Sequence, residues 1–289
     1  MKETKTRLFS RREALGAMGL LAVGWQAGLL EAAPAKRRMA LQLYTLRDPA
    51  KQDLPGTLKK VREMGWEHVQ WSGMPNLPAE KIRAALDDAG LKAIASHVAI
   101  EPFEKDFEAN VKFWKTVGVG DVAPGGMMND CKATLDDWLR GAKRLDALGA
   151  KLRAVGLRLS YHNHSFEFEK YPGDPRTKLD LLMGSTKPEN LEDELDVAWA
   201  YIGGVDPAAY MRKFKGRLHL IHAKDIVKAK NGKKQEFRPL GQGEQNWPEI
   251  FAAGDEIGLE WYIYEQDGGT GSPFDYAHAS YEFLAKNMK

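Results

Sequence analysis

From Met39 onward, short apolar runs alternate with segments whose apolar residues recur every three or four positions. "MALQLYTL" (39–46) reads as a strand. "LPGTLKKVREMG" (54–65) reads as a helix, with Leu58, Val61 and Met64 on one face and Gly65 as its stop. The alternation repeats with "HVQWS" and "PAEKIRAALDDAG", then with "KAIASHV" (92–98) and "DFEANVKFWKTVG". "DVAPGG" (121–126) precedes a long helical region from Thr134 to Gly156, and "LRLSYHNH" (157–164) precedes "TKLDLLMGS". "LEDELDVAW" (191–199) leads to "DPAAYMRKFKG", and "RLHLIHAKD" (217–225) to a polar loop and "WPEIFAAGDEIG". "EWYIYEQD" (260–267) with "PFDYAHASYEFLAKN" closes the series.

Eight strand-helix units imply parallel strands joined by right-handed crossovers. Eight in about 254 residues predict an α/β fold, a single-domain (β/α)8 TIM barrel. No G-x-G-x-x-G follows the first strand, so an open dinucleotide-binding sheet lacks its fingerprint. The longest irregular stretch, 226–246, follows the seventh strand on the face where barrel loops build sites.

Residues 1–35 read differently. Arg11 and Arg12 form a twin-arginine pair before an uncharged apolar run from Ala14 to Leu30, and "AAPA" supplies a small-residue cleavage pattern after Ala35. The expectation is an exported, periplasmic domain over 36–289 with no stable membrane insertion once the leader is cut; an uncleaved leader would leave it tethered. Removing the leader takes five bases and three acids from 42 and 40, leaving 37 of each. Balanced charge offers no footprint for nucleic acid and favours a small neutral substrate, while remaining compatible with a homo-oligomer. Cys131 is the sole cysteine, which excludes an intramolecular disulfide.

Polar residues collect where the barrel would put its mouth: Gln42 and Tyr44, His97, His162 and His164, Asp196, His222, and Glu265. Asp196, His222 and Glu265, with His164 or Glu167 as rival fourth ligands, make a nitrogen and oxygen set suited to one divalent ion such as Mn, Co, Fe or Zn. A single histidine on a strand is more often a core residue than a ligand, but four consecutive strands ending this way would be costly to bury without a shared purpose. His219 has the opposite parity to His222 and reads as structural; Glu169 and Lys170 read as a solvated loop. Trp71, Trp199, Trp247 and Tyr44 are candidates for stacking on a sugar ring, with packing as the alternative.

"YHNHSFEF", "ELDVAW", "HLIHAKD", "PLGQGEQNWPEIF" and "YIYEQD", in this order, resemble the sugar phosphate isomerase/epimerase family of xylose isomerase-like barrels over the whole mature chain. The resemblance implies a metal held at the ends of strands five to eight, on Asp196, His222 and Glu265 here. Many relatives carry a glutamate ligand on strand five, where this chain has Tyr161-His162-Asn163-His164. That departure turns attention to His162, Glu167 and Lys224 as proton carriers, with Tyr44, His97 and Trp199 as substrate contacts. The implied activity is metal-assisted proton abstraction beside a carbonyl of a carbohydrate, leading to isomerisation, epimerisation, or the elimination or hydration of a keto-glycoside. Two other classes remain open: an exported sugar-binding barrel without turnover, and a metal-dependent hydrolase on the same scaffold.

Overall fold

The computed structural model describes residues 37–72, 75–229 and 235–288. The expected leader, residues 1–35, lies outside the described residues. Strands β1 (Arg38–Gln42), β2 (His68–Trp71), β3 (Lys92–His97), β4 (Asp121–Ala123), β5 (Arg158–His162), β6 (Glu192–Asp196), β7 (Leu220–Ala223) and β10 (Trp261–Tyr264) form a closed parallel barrel in the order β1-β10-β7-β6-β5-β4-β3-β2. β8 (Asp225–Val227) and β9 (Glu236–Arg238) pair antiparallel outside it, within the long loop after β7 that the sequence marks as irregular.

Both faces of each barrel strand are covered, as parallel sheets require. The outward set, including Leu41, Val69, Trp71, Tyr161, Leu195, Ile221 and Tyr264, packs under the helices in the main core. Ala40, Ala95, Leu220 and Ile263 form a separate small cluster inside the barrel. Side chains alternate with period two, so Gln42, His97, His222 and Glu265 stand one step nearer the mouth on the same face. An apolar plug therefore supports a polar layer.

Helix 54–63 shows how the outer layer is specified. Asp53 Oδ1 accepts the Gly56 amide at 2.9 Å, capping its start, and Leu58 and Val61 are fully buried against the barrel. Each such side chain contributes about 1.5–3 kcal/mol. The expected first strand is shorter than its apolar run: Gln42 accepts the Tyr44 amide, and residues 43–46 turn into a 3-10 helix. The 20-residue helix Leu135–Ala154 starts at a reciprocal Thr134/Asp137 capping box. Two of the four proposed stacking aromatics belong to packing. Trp71 is buried in the core, and the Trp247 indole N–H donates to Asp225 Oδ2 at 2.8 Å.

Candidate metal centre

The ends of β5, β6, β7 and β10 converge. His162, Asp196, His222 and Glu265 each offer one ligand atom within 4.8 Å of the others, and all four are buried. A second group, His97, His162, Glu194 and His222, shares two histidines with the first. The Cα register places Asp196 beside His222 and His162 beside Glu194.

His222 divides its nitrogens between the two groups. Nδ1 lies 2.8 Å from Glu265 Oε2, whereas Nε2 lies 2.6 Å from Gln70 Oε1 and 2.7 Å from Glu194 Oε1. His162 does the same, with Nε2 at 3.8 Å from Asp196 Oδ2 and Nδ1 at 3.4 Å from Glu194 Oε1. Glu194 also receives both bonds of the Gln70 amide, at 3.1 and 3.0 Å, and lies 2.5 Å from His97 Nε2. Gln42 in turn donates to Gln70 Oε1 at 2.8 Å. Glu194 and Gln70 thus stand behind the two histidines and fix which ring face meets Asp196 and Glu265, the arrangement by which outer carboxylates orient metal-binding imidazoles.

Electrostatics separates the carboxylates. Burial disfavours ionisation of Glu194, but His222 and His97 outweigh it and hold its carboxyl well below the usual range. Glu265 is likewise held low against burial by Lys224 and His222. Asp196, where burial outweighs Lys224, is pushed up to about 6. Burial also opposes charge on His222, but Glu194 and Glu265 raise it to about 10, while burial and the neighbouring His222 depress His162 well below its ordinary value.

The donor set fits a divalent ion. Asp196 Oδ1 is spent on the amides of Ala198 and Trp199, at 3.0 and 2.9 Å, whereas Oδ2 faces the Lys224 ammonium at 2.9 Å and His162 Nε2 at 3.8 Å; the buried Nδ1 of His162 has no hydrogen bond among the described residues. Two imidazoles and two carboxylates match the first-row metals that favour mixed nitrogen and oxygen ligands.

Asp196, His222 and Glu265 are thus brought together, with His162 as the fourth member. His164 stands beside the group, its ring 5.3 Å from those of both His162 and Trp199. Burial lowers its pKa to about 4. Glu167 is turned into the local backbone: Tyr161 OH and the His164 amide donate to its two oxygens at 2.8 Å each, and burial raises its carboxyl to about 7. Lys224 is fully buried against three carboxylates, which raise its pKa well above the ordinary value despite burial. It is held in its charged form, which suits a base poorly.

His97 borders a cavity of about 560 Å³ under the loops after β3 and β4, lined also by Ile100, Trp114, Met127 and Met128. No other member of the cluster lines it. The buried indole N–H of Trp199, beside His164, has no hydrogen-bond partner among the described residues, and Tyr44 is partly exposed with Arg47 stacked over its ring at 4.3 Å. Glu194 and Gln70 are the members that sequence reasoning missed. Glu194 carried a signal, since it shares Asp196's parity in "EDELD", whereas Gln70 is one polar residue in an apolar run.

A model of the xylose isomerase-like TIM barrel matches residues 58–287. The chain belongs to this family. A sugar phosphate isomerase/epimerase from Parabacteroides distasonis is 25% identical to this xylose isomerase-like barrel, with a TM-score of 0.70 over 88% of this chain and 95% of that one. An inosose dehydratase from Lacticaseibacillus casei is 26% identical over 171 residues, 54% of this chain and 56% of the relative, so the chain spans about half the length of the curated relatives it matches. The fold is shared with the IOLI protein, whose structure has a binding zinc atom, at a TM-score of 0.65 and 13% identity over 86% of this chain and 97% of that one.

Proposed function

We propose that the chain is a divalent-metal-dependent enzyme that removes a proton beside the carbonyl of a sugar or keto-sugar. The observation that carries this reading is the buried His162, Asp196, His222 and Glu265 group at the barrel mouth, with ligand atoms within 4.8 Å of one another. When bound, a metal there would polarise a carbonyl or hydroxyl oxygen and favour the enediolate formed on proton loss.

The chain's own residues do the rest. Glu194 and Gln70 hold the rings of His162 and His222 in place. With His162 in the ligand group, the proton carrier is better sought at His97, whose Nε2 leans on the buried Glu194 while its ring borders the cavity. A carboxylate behind an imidazole fixes its orientation, and proton transfer by a side chain so positioned contributes roughly 10²–10⁴ in rate. Trp199, beside His164, and the partly exposed Tyr44 are the aromatic candidates for contact with a sugar ring.

From one enediolate, return of the proton gives isomerisation or epimerisation, and loss of a β-hydroxyl gives dehydration. The likeness to inosose dehydratases favours dehydration of a cyclic keto-sugar as the second reading.

The test is metal content by elemental mass spectrometry, followed by exchange of the α-proton of keto-sugars with D2O. About one equivalent of a first-row metal is expected in the wild type, and Asp196→Asn and Glu265→Gln should lose it while staying folded. His97→Ala should keep the metal and lose exchange by about 10²-fold or more. A folded wild type that takes up no metal on reconstitution refutes the proposal. Release of water during exchange would select dehydration.

A further inference from the structure

Lys224 sits where a metal would need to draw charge. Its Nζ lies 2.9 Å from Asp196 Oδ2 and 2.7 Å from Glu265 Oε2, and its side chain is 1% exposed. These are the oxygens that face the histidines: Glu265 Oε2 is the atom 2.8 Å from His222 Nδ1, and Asp196 Oδ2 is the atom nearest His162 Nε2. Asp196 cannot offer its other oxygen, because Oδ1 caps the helix that starts at Val197. An ammonium and a divalent ion therefore compete for the same two lone-pair positions. A third carboxylate gives the ammonium somewhere else to go: Asp267, which is not a member of the ligand group, has Oδ1 and Oδ2 at 3.1 and 2.9 Å from Nζ.

We infer that Lys224 is a resident counter-cation of the metal-free site, which yields Asp196 and Glu265 to an arriving divalent ion and stays held by Asp267. The ammonium neutralises buried carboxylates that would otherwise repel one another, so the ligand group can hold its arrangement before an ion arrives. It also lowers metal affinity, because two like charges must share a buried space where screening is weak. Lys224 is on this account a residue that sets affinity, and Asp267 sets how far the lysine withdraws. This rests on the ligand group proposed above.

Isothermal titration of the chelator-stripped chain with Mn²⁺ and with Zn²⁺ tests it through two variants that should move in opposite directions. Lys224→Met removes the competing charge and should tighten binding of either ion at least tenfold, with a larger rise in melting temperature on metal addition than in the wild type. Asp267→Asn leaves the lysine only the two ligand carboxylates and should weaken binding threefold or more. Binding by the wild type with no tightening in a folded Lys224→Met, or with tightening in Asp267→Asn, overturns the inference and leaves the metal site standing. Should Lys224→Met not fold, the Asp267→Asn result decides alone. A wild type that binds neither ion removes the metal site itself, and this inference with it.

Discussion

His219 gives the sharpest stability test, because its ring is clamped between two carboxylates at the end of the barrel opposite the mouth. Nε2 lies 3.0 Å from Asp121 Oδ2 and Nδ1 lies 2.5 Å from Glu192 Oε2, with Ser160 Oγ donating to the same Asp121 oxygen at 2.9 Å. Burial opposes the imidazolium, but the two carboxylates more than compensate and raise its pKa to about 10. Replacement by glutamine removes the cation and leaves Asp121, 4% exposed, without charge compensation. A rise from 6.5 to about 10 caps the ring's contribution at about 5 kcal/mol, using 1.36 kcal/mol per pH unit. Asp121's own carboxyl is pushed up by burial despite His219, which offsets part of that. The net loss expected for breaking such a pair is about 3 kcal/mol, or about 6–12 °C in Tm for a domain of this size. A folded pKa above the unfolded one means that the stabilisation is complete below about pH 6.5 and fades as the pH rises toward 10. Urea unfolding of wild type and His219→Gln should therefore differ by about 3 kcal/mol at pH 6.5 and by under about 1 kcal/mol above pH 10. Adding Asp121→Asn to the variant should recover stability at pH 6.5, because the uncompensated charge is gone. An equal deficit at both pH values would refute the ion-pair account and leave packing as the cause.

Two further substitutions probe the scaffold. Gly149→Ala, inside helix 135–154, would place a methyl 1.7 Å from the Asn190 carbonyl oxygen, so despite alanine's higher helix propensity it should cost about 3 kcal/mol or more in urea unfolding; an unchanged midpoint would show that the helix can slide away. Asp193 is fully buried on the outward face of β6 with neither oxygen hydrogen-bonded among the described residues, and burial raises its carboxyl well above the ordinary value. Asp193→Val should raise stability by about 1–3 kcal/mol at pH 7, seen as a higher Tm, and a lower Tm would mean that the carboxyl has a partner.

The barrel was legible because each unit repeats one rule: an apolar strand covered on both faces, then a helix with one apolar stripe. The ends of elements were less so. The run 39–46 looks uniformly strand-like, but the Gln42 side chain catches the Tyr44 amide and ends the strand four residues early. Within the proposed site the same limit decides the fourth member. His162 and His164 have the same parity, so alternation cannot choose between them. β5 stops at His162, and the Glu167 carboxylate then takes the His164 amide to start a 3-10 turn, which sets His164 aside from the cluster.

The acidic run of β6 shows why residue type alone could not assign the roles. Glu192, Glu194 and Asp196 are alternate residues of one strand on one face, about 6.6 Å apart per step. The first pairs with His219 at the closed end, the second backs His97, His162 and His222, and the third meets Lys224 and His162 at the mouth. Identical chemistry thus serves stability, orientation and proposed metal binding according to depth along a single strand. Depth is fixed by register with neighbours that are distant in sequence: Glu194 lies beside His162 and Leu220, and Asp196 beside His222. Period-two reading recovers the face a residue occupies but not its level, and in a barrel whose interior passes from ion pair to apolar plug to polar cluster, the level determines the function.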